Sequence, residues 1–161
     1  MYLEEGENFM EEYRNIGRYI SYFYRMGQCY INEKLEPYHI GSGQYTYLLV
    51  LFDEHGISQE TLSERIKIDK ATTGRAIKKL MQEGYVYRKR DSKDKRRYQI
   101  FLTPKGNEIK AVVYDVLEKW NELVLQDMKT SEKKYAVELL RKMADNISQF
   151  KNKETSMEEE G

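Results

Sequence analysis

Arg88-Lys89-Arg90-Asp91-Ser92-Lys93-Asp94-Lys95-Arg96-Arg97 is the stretch on which the fold turns. Seven basic side chains stand here against two acidic ones, in a chain whose formal net charge is zero. Tyr85-Val86-Tyr87 precedes it and Tyr98-Gln99-Ile100-Phe101-Leu102 follows it. Two apolar or alternating runs rich in aromatic and β-branched residues, joined by a short polar segment, read as a β-hairpin. The positive charge sits at its tip.

Upstream of the hairpin the pattern turns helical. Ser58 precedes Gln59-Glu60, an N-cap with acidic charge in the first turn. Leu62 and Ile66 give this short helix an inward face. Asp69 caps the next helix, residues 70–83, and Gly84 ends it in the C′ position. Two short helices joined at Lys67-Ile68-Asp69 form a helix-turn-helix. A helix-turn-helix followed by a hairpin with a basic tip is the arrangement of a winged helix, which grips the DNA backbone.

The outer segments are long helices. Phe9, Tyr13, Ile16, Ile20, Phe23, Gly27 and Tyr30 fall three or four apart and draw one stripe over residues 8–35. Tyr19, Tyr22 and Met26 form a second stripe beside it. So much apolar surface on one terminal helix exceeds the need of one small core and predicts a partner. Glu36-Pro37 and Gly41-Ser42-Gly43 break the pattern, and Ser42 is the expected N-cap of a short buried helix through Phe52, closed by Gly56. After the hairpin, Thr103 and Pro104 start a helix whose stripe runs from Ile109 through Val113, Val116 and Trp120 to Val124. Ser131 and Glu132 begin a last helix with Ala136, Leu139, Leu140, Met143, Ile147 and Phe150 inward.

The predicted fold class is therefore mainly α with a small β-hairpin wing: a winged helix-turn-helix core plus long dimerisation helices. Residues 1–41 form the N-terminal dimerisation helix and 42–103 the DNA-binding domain. Residues 104–150 supply the C-terminal dimerisation helices, and the polar tail 151–161 is expected to be disordered.

Composition bounds the function. The chain has 161 residues, 40% hydrophobic and 34% charged, a soluble globular mix. Acidic residues cluster at the ends, with Glu4, Glu5, Glu7, Glu11 and Glu12 at one and Glu154, Glu158, Glu159 and Glu160 at the other. The positive excess lies between Arg65 and Arg97, so a polyanion is steered to one face although the sum vanishes. The single cysteine, Cys29, excludes an intramolecular disulfide. The acidic N-terminus lacks a signal-peptide core, and the longest apolar run, residues 47–52, is too short to span a bilayer. The expectation is a cytoplasmic protein without a membrane partner. No nucleophile–base pair, metal cluster or phosphate loop is visible, so an enzyme is not expected and no cofactor is assigned.

The helix 70–83 carries the candidate readout. Thr73, Ala76, Ile77 and Leu80 face the core by spacing. The opposite face centres on Ala71, Gly74, Arg75 and Lys78, flanked by Lys70, Thr72 and Lys79. Small residues at 71 and 74 let a backbone approach a groove floor, and Arg75 can donate two hydrogen bonds to a guanine edge. Thr72 can meet a phosphate or a thymine methyl. On the hairpin, Arg88, Arg90, Lys93, Lys95, Arg96 and Arg97 are candidate phosphate contacts, whose charge releases condensed counterions. Asp91 and Asp94 suit a tight turn and the orientation of a neighbouring arginine. The plain alternative for both elements is a solvated charged face.

The run Leu62-Ser63-Glu64-Arg65-Ile66-Lys67-Ile68-Asp69-Lys70-Ala71-Thr72-Thr73-Gly74-Arg75, then Leu80, Glu83-Gly84-Tyr85-Val86 and Arg88, resembles the winged-helix core of the MarR family of transcriptional regulators. Residues 90–96 fit that family's Arg-Asp-x-x-Asp-x-Arg wing pattern at every defined position, and Leu102-Thr103-Pro104-Lys105-Gly106 fits the start of its fifth helix. The resemblance spans about residues 9–150. It implies a homodimer joined by the first helix and the last two, and one recognition helix per half-site of a double-stranded DNA operator. It also implies Arg96 in the minor groove, most often in a repressor. Two positions depart from the pattern. Gly74 stands where a polar side chain is usual, and Ala71 where serine is common.

Three smaller features complete the reading. By resemblance, a cleft between dimer helices and winged helix holds small aromatic acids, so Arg18 with Tyr38, Tyr45 and Tyr47 form a candidate effector pocket. The alternative is that tyrosines fill core with hydroxyls satisfied at its edge. Relatives that sense peroxides carry a cysteine near the start of the first helix. Cys29 lies near its end, where a buried small hydrophobe is the expectation and redox sensing the alternative. His39 and His55 are isolated, so no metal site is expected. A winged helix used for protein contact, or an architectural DNA binder without an operator, is the competing functional class.

Overall fold

Helix α1 (Glu4–Leu35) is followed by a single 3-10 turn (Glu36–Tyr38) and by α2 (Ser42–Asp53). The computed structural model describes residues 4–91 and 98–159, with side chains described for 15–91 and 98–150. The chain divides between Trp120 and Asn121 into two compact units.

In the first unit, strand β1 (Ile57–Ser58) leads into α3 (Gln59–Ile66) and α4 (Lys70–Gln82). The hairpin β2 (Val86–Arg90) and β3 (Tyr98–Leu102) follows, then α5 (Pro104–Glu108) and most of α6 (Lys110–Val124). The sheet is antiparallel in the order β1-β3-β2, with Arg88 opposite Ile100 and Arg90 opposite Tyr98. Strand β1 is not visible in the sequence pattern, because a two-residue strand shows no alternation. It pairs Ile57 with Ile100 and ties the helix-turn-helix to the wing.

The core is built where the helical spacing put it. Thr73, Ala76, Ile77 and Leu80 of α4 are buried with Leu62 of α3. The apolar ones pack in one cluster with Leu48 and Leu51 of α2, Ile31 and Leu35 from the end of α1, and Val113 and Val116 of α6. Caps fix both short helices: Ser58 Oγ accepts from Thr61 N at 3.0 Å and Asp69 Oδ1 from Thr72 N at 2.8 Å. Gly84, at φ +76°, ends α4 in the left-handed conformation expected at C′.

Boundaries differ from expectation in three places. The N-cap of α2 is Gly41, not Ser42. Gln44 Oε1 takes the Gly41 amide at 2.7 Å, Asn32 Oδ1 takes the Ser42 amide, and the Gly41 carbonyl takes the Gln44 amide at 2.9 Å, so the amides at the start of the helix are met without a serine side chain. The helix after Thr103 is interrupted at Ile109. Gly106 favours the helix weakly, and α5 is pinned to the turn that ends α4 by Thr103 Oγ1, which donates to the Gly84 carbonyl at 2.6 Å. In the second unit, α7 (Thr130–Glu159) continues past residue 150, because lysine, glutamate and methionine in that stretch propagate a helix well. Among the described residues no helix is long and apolar enough to cross a membrane.

Candidate nucleic-acid interface

Helix α4 shows solvent the face opposite its buried stripe. Lys70, Ala71, Arg75, Lys78 and Lys79 are exposed and Thr72 is half-buried. Hydrogen bonding to the Thr72 amide and hydroxyl holds the Asp69 carboxyl below its ordinary range, so the cap stays ionised at the helix's positive end. Thr72 in turn accepts from Arg75 Nη2 at 2.7 Å, which lays the guanidinium back along its own helix. One exposed hydrogen bond is worth about 1 kcal/mol net, small enough for Arg75 to exchange it for a base edge. Lys70 is ion-paired with Glu60 of α3. Both partners are well exposed, and such a pair yields readily to a phosphate.

Gly74 lies at the edge of the open face rather than in its middle. A Cβ there would stand 3.3 Å from Gln59 Nε2. It borders a cavity of about 670 Å³ lined also by Gln59, Ile77, Lys78, Met81, Gln82 and Arg88. The glycine therefore keeps open a cleft between α3, α4 and the wing. Gln59 does not stand out in the sequence; its place at the first turn of α3 is the only sign of it.

The wing contributes from the other side of that cleft. Arg88 and Arg90 are exposed on β2, on the strand face that puts Val86 into the core. The Tyr98 ring lies with Arg88 Cζ 4.7 Å and Arg90 Cζ 5.7 Å from its centroid, and Arg90 Nε donates to its hydroxyl oxygen at 3.2 Å. That hydrogen bond and the Arg90 charge hold the Tyr98 hydroxyl below the ordinary phenol range. On the opposite face Tyr87 stacks on Phe101, centroids 5.4 Å apart, and Asp91 accepts from Gln99 at 3.0 Å. Lys93, Asp94, Lys95, Arg96 and Arg97 lie outside the described residues. Tyr98 is readable from sequence only as a strand residue; its pairing with Arg90 depends on the hairpin register.

The four residues expected around an effector are not gathered. Tyr47 is fully buried, its hydroxyl 3.3 Å from Thr73 Oγ1, because the helix α2 needs a large side chain against α4. It is a core residue, and the tyrosine-in-core alternative holds for it. Tyr38 is exposed and its carbonyl accepts from the Tyr85 hydroxyl at 2.7 Å. Tyr45 is half-buried, and burial pushes its phenol up. Arg18 borders a different cavity, about 410 Å³, with Tyr19, Tyr22 and Arg25 of α1. Cys29 is exposed, not the buried small hydrophobe expected.

Comparison with known proteins agrees with this geometry. Residues 40–98 match the sequence model of the MarR family. A MarR transcriptional regulator from Methanosarcina mazei Go1, solved by crystallography, is 44% identical over 85% of this chain and 99% of its own, with a TM-score of 0.82. The HTH-type transcriptional regulator YybA of Bacillus subtilis (strain 168), itself uncharacterised, is 35% identical over 105 residues, 65% of this chain and 70% of YybA. A MarR family regulator from Listeria monocytogenes, solved with 26mer DNA, is 28% identical over 83% of this chain and 89% of its own, with a TM-score of 0.78. Overlap with 99% of that regulator at 44% identity, on a chain whose capped helix-turn-helix and β2–β3 hairpin are in place, makes the protein a member of the MarR family of winged-helix, DNA-binding transcriptional regulators.

Proposed function

We propose that the chain is a homodimeric, ligand-responsive repressor that reads an operator with α4 and holds its backbone with the wing. The observation that carries the DNA part is the exposed basic surface of α4 and β2, where Lys78 and Arg88 line one cleft and Arg75 and Arg90 are exposed on the same two elements. In this reading Lys70, Thr72, Arg75, Lys78 and Lys79 face the groove. Arg88, Arg90, Lys93, Lys95 and Arg97 face phosphates, Arg96 enters the minor groove and Asp94 orients it. Residues 42–103 are the DNA-binding domain; 1–41 and 104–150 make the dimer. Support for the dimer comes from α1, where Ile20, Tyr22, Phe23 and Tyr24 are at least 49% exposed on a helix otherwise rich in charge.

Ligand response is supported by the groove on α1, where Arg18 and Arg25 suit a carboxylate and Tyr19 suits a ring. A ligand acts only by binding one dimer spacing more tightly than another. The experiment is fluorescence anisotropy with duplex from upstream of the protein's own coding region and a scrambled duplex, in a salt series, with a panel of salicylate-like acids. Tight binding to the first duplex, weaker binding to the second and release by an acid are expected. Equal affinity for both duplexes favours an architectural binder. Release by peroxide and by none of the acids moves control to the exposed Cys29.

A further inference from the structure

We propose that Tyr98 is a positioning residue of the wing, whose ring holds the Arg88 and Arg90 guanidinium groups ready for the DNA backbone. The inference rests on the reading of the wing as a phosphate-binding element. Three observations carry it. Tyr98 stands directly opposite Arg90 in the β2–β3 register, and Arg88 is on the same strand face two residues away. Both guanidinium carbons lie within 5.7 Å of the ring centroid, and Arg90 also donates to the ring hydroxyl. The strand that carries the ring is held in place: Tyr98 is half-buried, and Ile100, the next residue of β3 on that face, is in the core, 1% exposed.

The physical effect is pre-organisation. A free arginine loses rotamer freedom when a phosphate immobilises it, and that loss is subtracted from affinity. Arg88 and Arg90 are also like charges on one strand face, which repel. An electron-rich ring face beside both attracts each and narrows their range. A guanidinium whose face lies on the ring leaves its in-plane N–H donors directed outward, which is the geometry a phosphate takes; for Arg90, whose Nε–H goes to the Tyr98 hydroxyl, the Nη groups serve that role.

The test uses the full chain, the upstream duplex and the scrambled duplex, with affinity read across a salt series. Tyr98→Leu, with Tyr98→Val measured beside it in case one does not fold, removes the ring and leaves both charges. Affinity for both duplexes is expected to fall about three- to tenfold, with the log–log salt slope unchanged because the same phosphates are still neutralised. Tyr98→Phe keeps the stack and is expected to bind within about twofold of the parent. In an Arg88→Ala, Arg90→Ala background, removing the ring should change nothing further. The proposal is overturned if Tyr98→Leu binds like the parent while removal of the arginines weakens binding and flattens the slope. It is overturned too if the ring's removal is as harmful without the arginines as with them, since Tyr98 then acts on the fold. Removal of the arginines that alters neither affinity nor slope overturns the wing reading itself, and this proposal with it.

Discussion

At the residue scale, Asp69, Thr72 and Arg75 form a chain of hydrogen bonds that links the start of α4 to the exposed guanidinium of Arg75. Asp69→Ala should lower the melting temperature, and the effect should depend on pH. The folded carboxyl titrates below its ordinary value, so its contribution is present above about pH 4 and is lost as the pH falls through the folded value. The gap in melting temperature between parent and variant is therefore wide at neutral pH and closes in acid; a gap that is constant with pH would contradict the cap's role as an ionised group. Arg75→Ala acts on DNA instead. It should cost about 1–3 kcal/mol per half-site on the upstream duplex and much less on the scrambled one. Equal effects on both would assign readout to the wing. Tyr47 belongs to stability alone. Tyr47→Phe removes the partner of the buried Thr73 hydroxyl and should destabilise the chain by about 1 kcal/mol in denaturant titration, leaving DNA affinity intact.

At the element scale, the hairpin and the two short helices were legible in the sequence because their signals are local. Ser58 and Asp69 cap where they stand, and the inward face of α4 follows from three- and four-residue spacing alone. What was not legible depends on which elements touch. Tyr47 sits in the continuously apolar run 47–52, where no period separates a core side from a pocket side. Gly106 is the sharper case. Its place after Thr-Pro-Lys marks a helix start, but the reason only glycine fits is contact with another element: a Cβ would stand 2.0 Å from the Tyr85 carbonyl oxygen at the foot of the wing. Gly106→Ala should therefore displace α5 from the hairpin. The expected result is a markedly lower melting temperature with DNA affinity falling at the same time, whereas Gly43→Ala, where a Cβ meets nothing within 4 Å, should be nearly silent. Beyond the described residues, Lys93→Ala and Lys95→Ala should weaken all sequences alike, and each should reduce the salt slope by roughly one for every phosphate left without its cation.

At the scale of the whole molecule, a neutral chain reaches a polyanion because its charge is segregated, and a chain with a modest core is left with apolar surface to cover. Ile20 at 49% exposure, Phe23 at 50% and Tyr24 at 66% stand on α1 outside the core cluster. Taking a side chain of this size from fully exposed to fully covered is worth roughly 1.5–3 kcal/mol, and about half of that is still to be gained where half is already covered. Association of two chains costs about 4–15 kcal/mol in restricted freedom. The exposed apolar side chains of α1 taken together, with Ile16, Tyr19, Tyr22 and Met26 beside these three and counted on both copies, reach that range, whereas one or two do not. A dimer is the outcome this balance predicts. At micromolar concentration light scattering should give twice the 19.3 kDa chain mass. Ile20→Glu with Phe23→Glu places charge on the same stripe, and should give the single-chain mass with the melting transition of the winged helix retained. DNA binding by that variant should weaken by orders of magnitude, and its salt slope should fall to about half, because one wing and one recognition helix remain where two acted together. A parent chain that scatters as a monomer and still binds the upstream duplex tightly would remove the dimer from the account, and the exposed stripe on α1 would then need another partner.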